Sequence, residues 1–310
     1  MMRDLRRFWP PLVLLAAFHA AVVLAGFLAP YDYAEQHRDF PYAPPSRIHL
    51  VHLRPYAESP DGKSYPIEFL VHGRLFGVRP PGVVFLLGTD GSGRDVFSRL
   101  LYGGRVSLLT GLAAALLSLV LGTALGTIAG FFGGWPDQLL MRGGELMMAL
   151  PWFYLLLAVR AFLPLHISAV EAFALLIAII GGIGWVRPAR LVRGVVLAGR
   201  ENGFVQAARG FGAGSPYLIR RHVLPLTFPV VLTQATVLIP QYILAEVTLS
   251  FLGLGVGEPV PSWGNMLAEA RQYHTIVEHT WLLAPAIAIV PLLLGFLLLA
   301  DALSGQQVST

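Results

Sequence analysis

From Val106 to Trp135 the chain reads VSLLTGLAAALLSLVLGTALGTIAGFFGGW, with no charged side chain anywhere in it. The hydrocarbon core of a bilayer, ~30 Å thick, demands about 20 consecutive apolar residues of a helix. Lipid offers the backbone no hydrogen-bond partner, and an isolated strand would leave its N–H and C=O groups unsatisfied there, so such a run predicts a helix. The run is bounded as Ser107 to Phe131, and five more are of the same kind: Leu12 to Ala29, Met141 to Leu163, Val170 to Val186, Thr227 to Leu252 and Trp281 to Leu303. The expected fold is all-α and integral to the membrane, with six transmembrane helices.

Composition agrees. The chain is 55% hydrophobic and 13% charged, with a mean hydropathy of +0.64, whereas soluble domains carry roughly 25% charge. It has no cysteine, which excludes disulfides and thiolate metal sites. The net charge of +4 comes from 21 arginines and one lysine, and membrane proteins collect such residues on the cytoplasmic side, so the excess implies no nucleic-acid partner. MMRDLRR precedes the first run and favours a cytoplasmic start, with that run kept as an anchor rather than cleaved as a signal peptide. Six crossings then leave both termini cytoplasmic and place Arg187 to Arg221 inside, seven arginines against the single acid Glu201. Pro30 to Arg105 falls outside with nine basic and eight acidic residues. Arg94, Arg99 and Arg105, near the second span, run against the pattern.

In the external loop, FPYAPPSRIHL, EFLVHG and GVVFLL read as short extended pieces of a small subdomain. Its histidines, His37, His49, His52 and His72, lack the ligand spacing of a metal site, and none is expected. Gly62, Lys63 and Ser64 match the end of a phosphate-binding loop, but Ala57 stands where its first glycine belongs and no strand-to-helix context surrounds it. No catalytic constellation stands out. If the chain takes part in ATP-driven work, the ATPase is another chain.

Gly122, Gly126, Gly130 and Gly134 recur every four residues after Ala114 and Ser118, a ridge of small residues that admits a closely packed helix from this chain or another. In the fifth run Gln234, Gln241 and Thr248 recur every seven residues, with Glu246 nearby. Polar groups at membrane depth line a pathway or bond between helices, and both readings stay open. Between spans four and five, Glu201 to Phe211 predicts a short helix with Phe204, Ala207 or Ala208, and Phe211 on one apolar face. Gly212 and Gly214 stop it, Ser215 and Pro216 start a second short helix, and Pro225 is expected to end that helix before the fifth span.

Gln206, Ala207, Ala208, Gly212, Leu224 and Pro225 together resemble the EAA loop of binding-protein-dependent ABC importer permeases: Glu-Ala-Ala, three residues, Gly, ten or eleven residues, Leu-Pro. Gln206 departs from the usual glutamate, which puts in doubt any ion pair made there. LLGTDGSGRDVFSRLLYGGRVSLLTG and EVTLSFLGLGVGEPVPSWGNMLAEAR are similar to segments of the second, C-type membrane subunit of the oligopeptide, dipeptide and nickel subfamily. The resemblance implies the type I ABC importer permease fold, with an extracytoplasmic loop subdomain between helices 1 and 2. Residues 1–30 would hold the N-terminus and first helix, and 31–105 the external loop and an interfacial segment. The transmembrane domain would be 106–303 with a cytoplasmic coupling loop at 187–226, and 304–310 a cytoplasmic tail.

It further implies a bacterial or archaeal inner-membrane location, and a non-catalytic chain that binds no cofactor itself. Its implied partners are a homologous permease subunit, two ATP-binding subunits carrying ATP and Mg, and an extracytoplasmic solute-binding protein. Arg94, Arg99 and Arg105 would lie on the outer face with their charges at headgroups. The implied cargo is di- or oligopeptides, with nickel, glutathione or a sugar as alternatives. A self-sufficient secondary transporter is the competing class, and it would need a proton relay and inverted repeats.

Overall fold

A computed structural model describes residues 2–52, 54–71, 73–162 and 168–307. In chain order, α1 (Met2–Val23) breaks at Leu24 into the single turn α2 (Ala25–Leu28). Among the described residues five short strands follow: β1 (Ile48–Val51), β2 (Arg54–Glu58), β3 (Ser64–Pro66), β4 (Glu68–Val71) and β5 (Arg74–Gly77). The rest is helical: α3 (Val96–Phe132), α4 (Gly134–Ala149), α5 (Trp152–Ala161), α6 (Ala169–Gly184), α7 (Val186–Arg200), α8 (Gly203–Gly210) and α9 (Ser215–Leu218). A π turn (Ile219–Val223) leads into α10 (Leu224–Phe251), followed by α11 (Trp263–Glu269), α12 (Tyr273–Glu278), a 3₁₀ turn (Thr280–Leu283) and α13 (Ala284–Gln307).

Among the described residues, Val96–Phe132, Ser215–Phe251 and Thr280–Leu303 are long and apolar enough to cross a bilayer. The pairs α4–α5 and α6–α7, bent by 89° and 43°, each qualify as one broken crossing, while Phe8–Val23 is apolar but shorter.

Two prolines act oppositely to expectation. Met141 to Leu163 was expected as one helix, yet Leu150 is extended (φ −86°, ψ 139°) and Pro151 restarts the chain at a near right angle. Clash with the proline ring biases the preceding residue away from helix, so the break falls there. Pro225, expected to end a helix, is absorbed instead. The π turn before it pairs the N–H of Leu224 with the carbonyl of Ile219, and this wider turn eases the usual conflict of a proline with the carbonyl four residues back, so α9 runs on into α10. Gly214, not Ser215, stands at the cap of α9, with the proline in its first turn.

The chain forms two compact units that interleave in sequence. One comprises Met1–Leu109, Ile167–Phe173 and Glu246–Gly295. Within it β1, β2 and β3 form an antiparallel meander, with Ile48 opposite Ala57 and Glu58 opposite Ser64, and β4 and β5 a separate hairpin. The Gly62-Lys63-Ser64 stretch is the β2–β3 turn: Gly62 takes φ +79°, and the Asp61 carboxylate accepts the N–H of Lys63 at 3.1 Å. Val83 to Leu87, expected as extended, forms no strand but buries Val84 and Phe85 completely. His37 packs its ring against Tyr31 and Phe85, His49 stacks on Tyr56, His52 sits exposed in the β1–β2 turn, and His72 lies outside the described residues.

The discordant arginines of this unit do not reach toward headgroups as expected. Arg94 (6% exposed) contacts Asp90 at 2.6 Å, Glu258, and Glu269 at 3.2 Å. Arg99 (1% exposed) contacts Glu258 at 2.9 Å and Asp90 at 3.4 Å. Arg105 donates to the carbonyls of Val22 and Val23 at 2.8 Å each, satisfying the end of α1. Burial, with Asp90 close by, raises the Glu269 carboxyl above its usual range. Asp95 caps α3, accepting the N–H of Ser98 at 2.8 Å and its hydroxyl at 2.6 Å. Burial pushes its carboxyl up to about 7.

The second unit comprises Thr110–His166, Ala174–Ala245 and Phe296–Thr310. Its packing rests on the small-residue ridge of α3, and the close neighbour belongs to this same chain. A Cβ on Gly122 would lie 2.7 Å from Pro188 Cγ, on Gly126 2.4 Å from the Ala189 carbonyl oxygen, and on Gly130 2.9 Å from that of Arg193. Side chains there would overpack the contact at about 1–3 kcal/mol each. Gly134, by contrast, has open space around it.

Candidate functional site

The predicted loop at 187–226 is helical for much of its length. Residues 187–200 belong to α7, which lies along the glycine ridge of α3. Arg193 holds Asp137 of α4 in a two-pronged pair, with Nη2 to Oδ2 at 2.6 Å. Arg200 donates to the carbonyls of Gly130 and Phe131 at 3.0 and 3.3 Å, satisfying the open end of α3.

Beyond α7 the chain turns back, and α8, α9 and the π turn seat Val205, Leu218 and Val223 respectively in a buried cluster with Phe131, Val192 and Val196. Ala208, Ala213 and Ile219 pack against it. The expected single apolar face is thus two faces. The buried stripe is Val205 with Ala208, three residues on, whereas Phe204 (51% exposed), Ala207, Phe211 (94%) and Tyr217 look outward. Valine was the missed signal, since it is the one branched aliphatic residue in Gly203–Gly210 and buries most cheaply.

The turn between these helices is fixed by its backbone. The N–H of Gly212 bonds to the Arg209 carbonyl at 3.0 Å and that of Ala213 to the Ala208 carbonyl at 3.1 Å, a Schellman termination. It needs Gly212 at φ +86°, where a side chain is strained. Gln206 donates its amide to the carbonyl of Arg200 at 2.9 Å, a bond that an ionised glutamate could not make. Arg209 sits 5.8 Å over the Phe131 ring, and with Arg220 and Arg221 it is exposed. Leu224 and Pro225 are exposed on the first turn of α10. The six motif residues therefore lie on one continuous turn-and-helix element.

The same unit holds a cavity of about 290 Å³ where the α4–α5 break meets α6, α7 and α10. Trp152, Arg187, Gln241 and Tyr242 line it, together with Met147 and Leu238. Tyr242 shares a hydrogen bond with Ser118 at 3.0 Å. Gly184 leaves room for the tyrosine, because a Cβ would lie 1.8 Å from its hydroxyl. Of the predicted polar stripe, Gln241 lines this cavity, and Gln234 buries an amide oxygen with no partner among the described residues. Glu246 and Thr248 belong to the other unit. There Glu246 is 0% exposed and accepts the Ser250 hydroxyl at 2.6 Å, with Ser107 and Ser262 also facing it. Periodicity did not single out Trp152, Arg187 or Tyr242, which come together only because the chain breaks at Pro151 and bends at Trp185.

A family model described as the binding-protein-dependent transport system inner membrane component matches residues 122–307. A protein of Brucella suis biovar 1 provisionally named a peptide permease is 40% identical over 218 residues, 70% of each chain. The dipeptide transport system permease protein DppC of Alkalihalophilus pseudofirmus is 38% identical over 225 residues, 72% of this chain and 71% of its own. A second Brucella suis protein, provisionally named a peptide transport system permease, reaches 42% over 226 residues, 73% of each. The matched region contains the whole turn-and-helix element of α8 to α10, and the chain belongs to the family of binding-protein-dependent transport system inner membrane components.

Proposed function

We propose that this chain is one membrane subunit of an ATP-driven importer of short peptides. The observation that carries the reading is the shape of α8 and α9: one face is pinned to α7 through Val205 and Leu218, while the other offers Phe204, Ala207, Phe211 and Tyr217 outward amid exposed arginines. An apolar knob with a basic rim is what a cytoplasmic ATPase groove can grip. The charge asymmetry of residues 190–221, six arginines against Glu201, supports a cytoplasmic position for this knob, in a reading with six crossings and both termini cytoplasmic. The relatives' names support peptides as cargo. In this reading a homologous permease chain completes the pathway, two ATP-binding subunits supply the work from inside, and a solute-binding protein delivers from outside. The chain itself performs no covalent chemistry. Closure of the ATPases would push α8 and α9, and the helical continuity from α9 into α10 would carry the push into a crossing.

Reconstitution with these partners in vesicles tests the reading through peptide uptake per ATP hydrolysed. Ala207→Trp enlarges the outward face without touching the buried cluster. It should lower that ratio by about tenfold, the effect of roughly 1.4 kcal/mol lost at the docking contact. Unchanged coupling in this variant would count against the knob. Ala208, packed inward, is a poorer probe because bulk there disturbs the element itself.

A further inference from the structure

The bend between α6 and α7 places an arginine where a membrane protein rarely tolerates one. Pro188 and Trp185 pack on Gly122 of α3: a Cβ there would lie 2.7 Å from Pro188 Cγ and 2.9 Å from the Trp185 carbonyl oxygen. From Gly122 to the end of α3 at Phe132 is ten residues of helix, about 15 Å. The charge-free run extends about 24 Å the other way, to Val106. The segment Trp185–Pro188 therefore crosses α3 within a hydrocarbon layer ~30 Å thick, at least about 6 Å from its edge. Arg187 lies in that segment. An arginine at such depth is costly unless it faces a wet cavity and meets a countercharge. Arg187 has the cavity but, among the described residues, no carboxylate partner. Arg187 is itself exposed toward that cavity, whereas the buried arginines described above are neutralised within the chain, as Arg94 and Arg99 are by three acids.

The remaining lining suits a small zwitterion. Trp152 and Tyr242 stand with ring centroids 6.3 Å apart, forming an aromatic corner, and Ser118 holds the tyrosine hydroxyl. Gln241 adds an amide that can both donate and accept, as a peptide backbone requires. A volume of about 290 Å³ is at the lower end of small-ligand sites.

We propose that this cavity is a way-station for the moving peptide, in which Arg187 receives its C-terminal carboxylate, Gln241 its backbone, and Trp152 with Tyr242 a side chain. The assignment rests on the importer reading above and names the group by which the membrane subunit recognises its cargo. A guanidinium–carboxylate contact is planar and two-pronged, and an amidated terminus cannot reproduce its charge.

The test uses the full reconstituted complex with saturating binding protein, comparing uptake of trialanine and trialanine amide. The binding protein contributes equally to every permease variant, so its own preference cancels between them. Arg187→Gln should reduce the free-acid to amide uptake ratio by about tenfold relative to the unmodified complex. Arg187→Lys should restore part of the preference. A ratio unchanged in Arg187→Gln overturns the assignment while leaving peptide import intact. So does loss of the second permease chain from the Arg187→Gln complex, retained in Arg187→Lys, which would make the countercharge a residue of that chain. Absence of peptide uptake in the unmodified complex would instead sink the importer reading.

Discussion

The chain keeps arginines in two contrasting settings. Between α7 and α10, Arg209, Arg220 and Arg221 stand exposed around an apolar knob. At the start of α3, Arg94 and Arg99 are enclosed by Asp90, Glu258 and Glu269. Local charge counts do not separate the two, because the acids that neutralise Arg94 and Arg99 come partly from residues more than 150 positions away. The difference is one of purpose. Exposed arginines leave a charge for another molecule to meet, whereas enclosed ones tie remote segments of their own unit together.

The comparison is broken most forcefully at Arg99. Arg99→Met removes one of the two arginines that hold Asp90 and Glu258 and leaves both acids to Arg94 alone, and taking one member out of a buried charge network costs up to about 3–5 kcal/mol. Thermal unfolding in detergent should show this as a large fall in midpoint, and a change under about 1 kcal/mol would mean that the cluster is wet and weak.

Asp95 sharpens the contrast through pH. Its folded carboxyl holds a proton to about pH 7, while the unfolded chain releases it near 3.8. Between those values the folded state binds more protons, so stability declines as pH rises from about 4 to 7 and levels off above. The full excursion is up to about 4 kcal/mol. Asp95→Asn keeps an acceptor for the Ser98 donors and should flatten that slope; an unaltered pH profile would remove burial of Asp95 as its source.

The smallest stability effect belongs to the exposed setting. Phe211→Ala, at a side chain 94% exposed, should shift unfolding by less than about 0.5 kcal/mol. Its consequence should appear in the coupling of ATP turnover to uptake, measured on the same preparation. Strong destabilisation would show that Phe211 supports the fold rather than a partner.

Much of this was legible in the sequence, and for identifiable reasons. The charge-free run of α3 can only be a helix in lipid, and glycines every four residues mark a close contact whatever the partner. Prolines were the weak point. Pro151 breaks a helix that hydropathy draws as continuous, and Pro225 fails to break one, since a π turn upstream changes what the ring collides with. Neither outcome follows from composition, because each depends on the geometry of the turn before it. The motif alanines show a finer limit: Ala207 and Ala208 are chemically identical neighbours, yet about 100° of helical rotation sends one outward and the other inward. Charge alone groups Arg187 with the cytoplasmic arginines, and only the contact of Pro188 with Gly122 brings it beside α3, ten residues before that helix ends.

That same glycine contact limits how the permease can move. Where α3 and α7 meet, main chain lies against main chain at Gly126, and at Gly130 the helix comes close to the Arg193 carbonyl and the Val196 side chain. Rods locked at that range cannot roll over one another as gears do. They travel as a single plank, so the pivot of any stroke must be sought at a joint such as the right-angled elbow before Pro151.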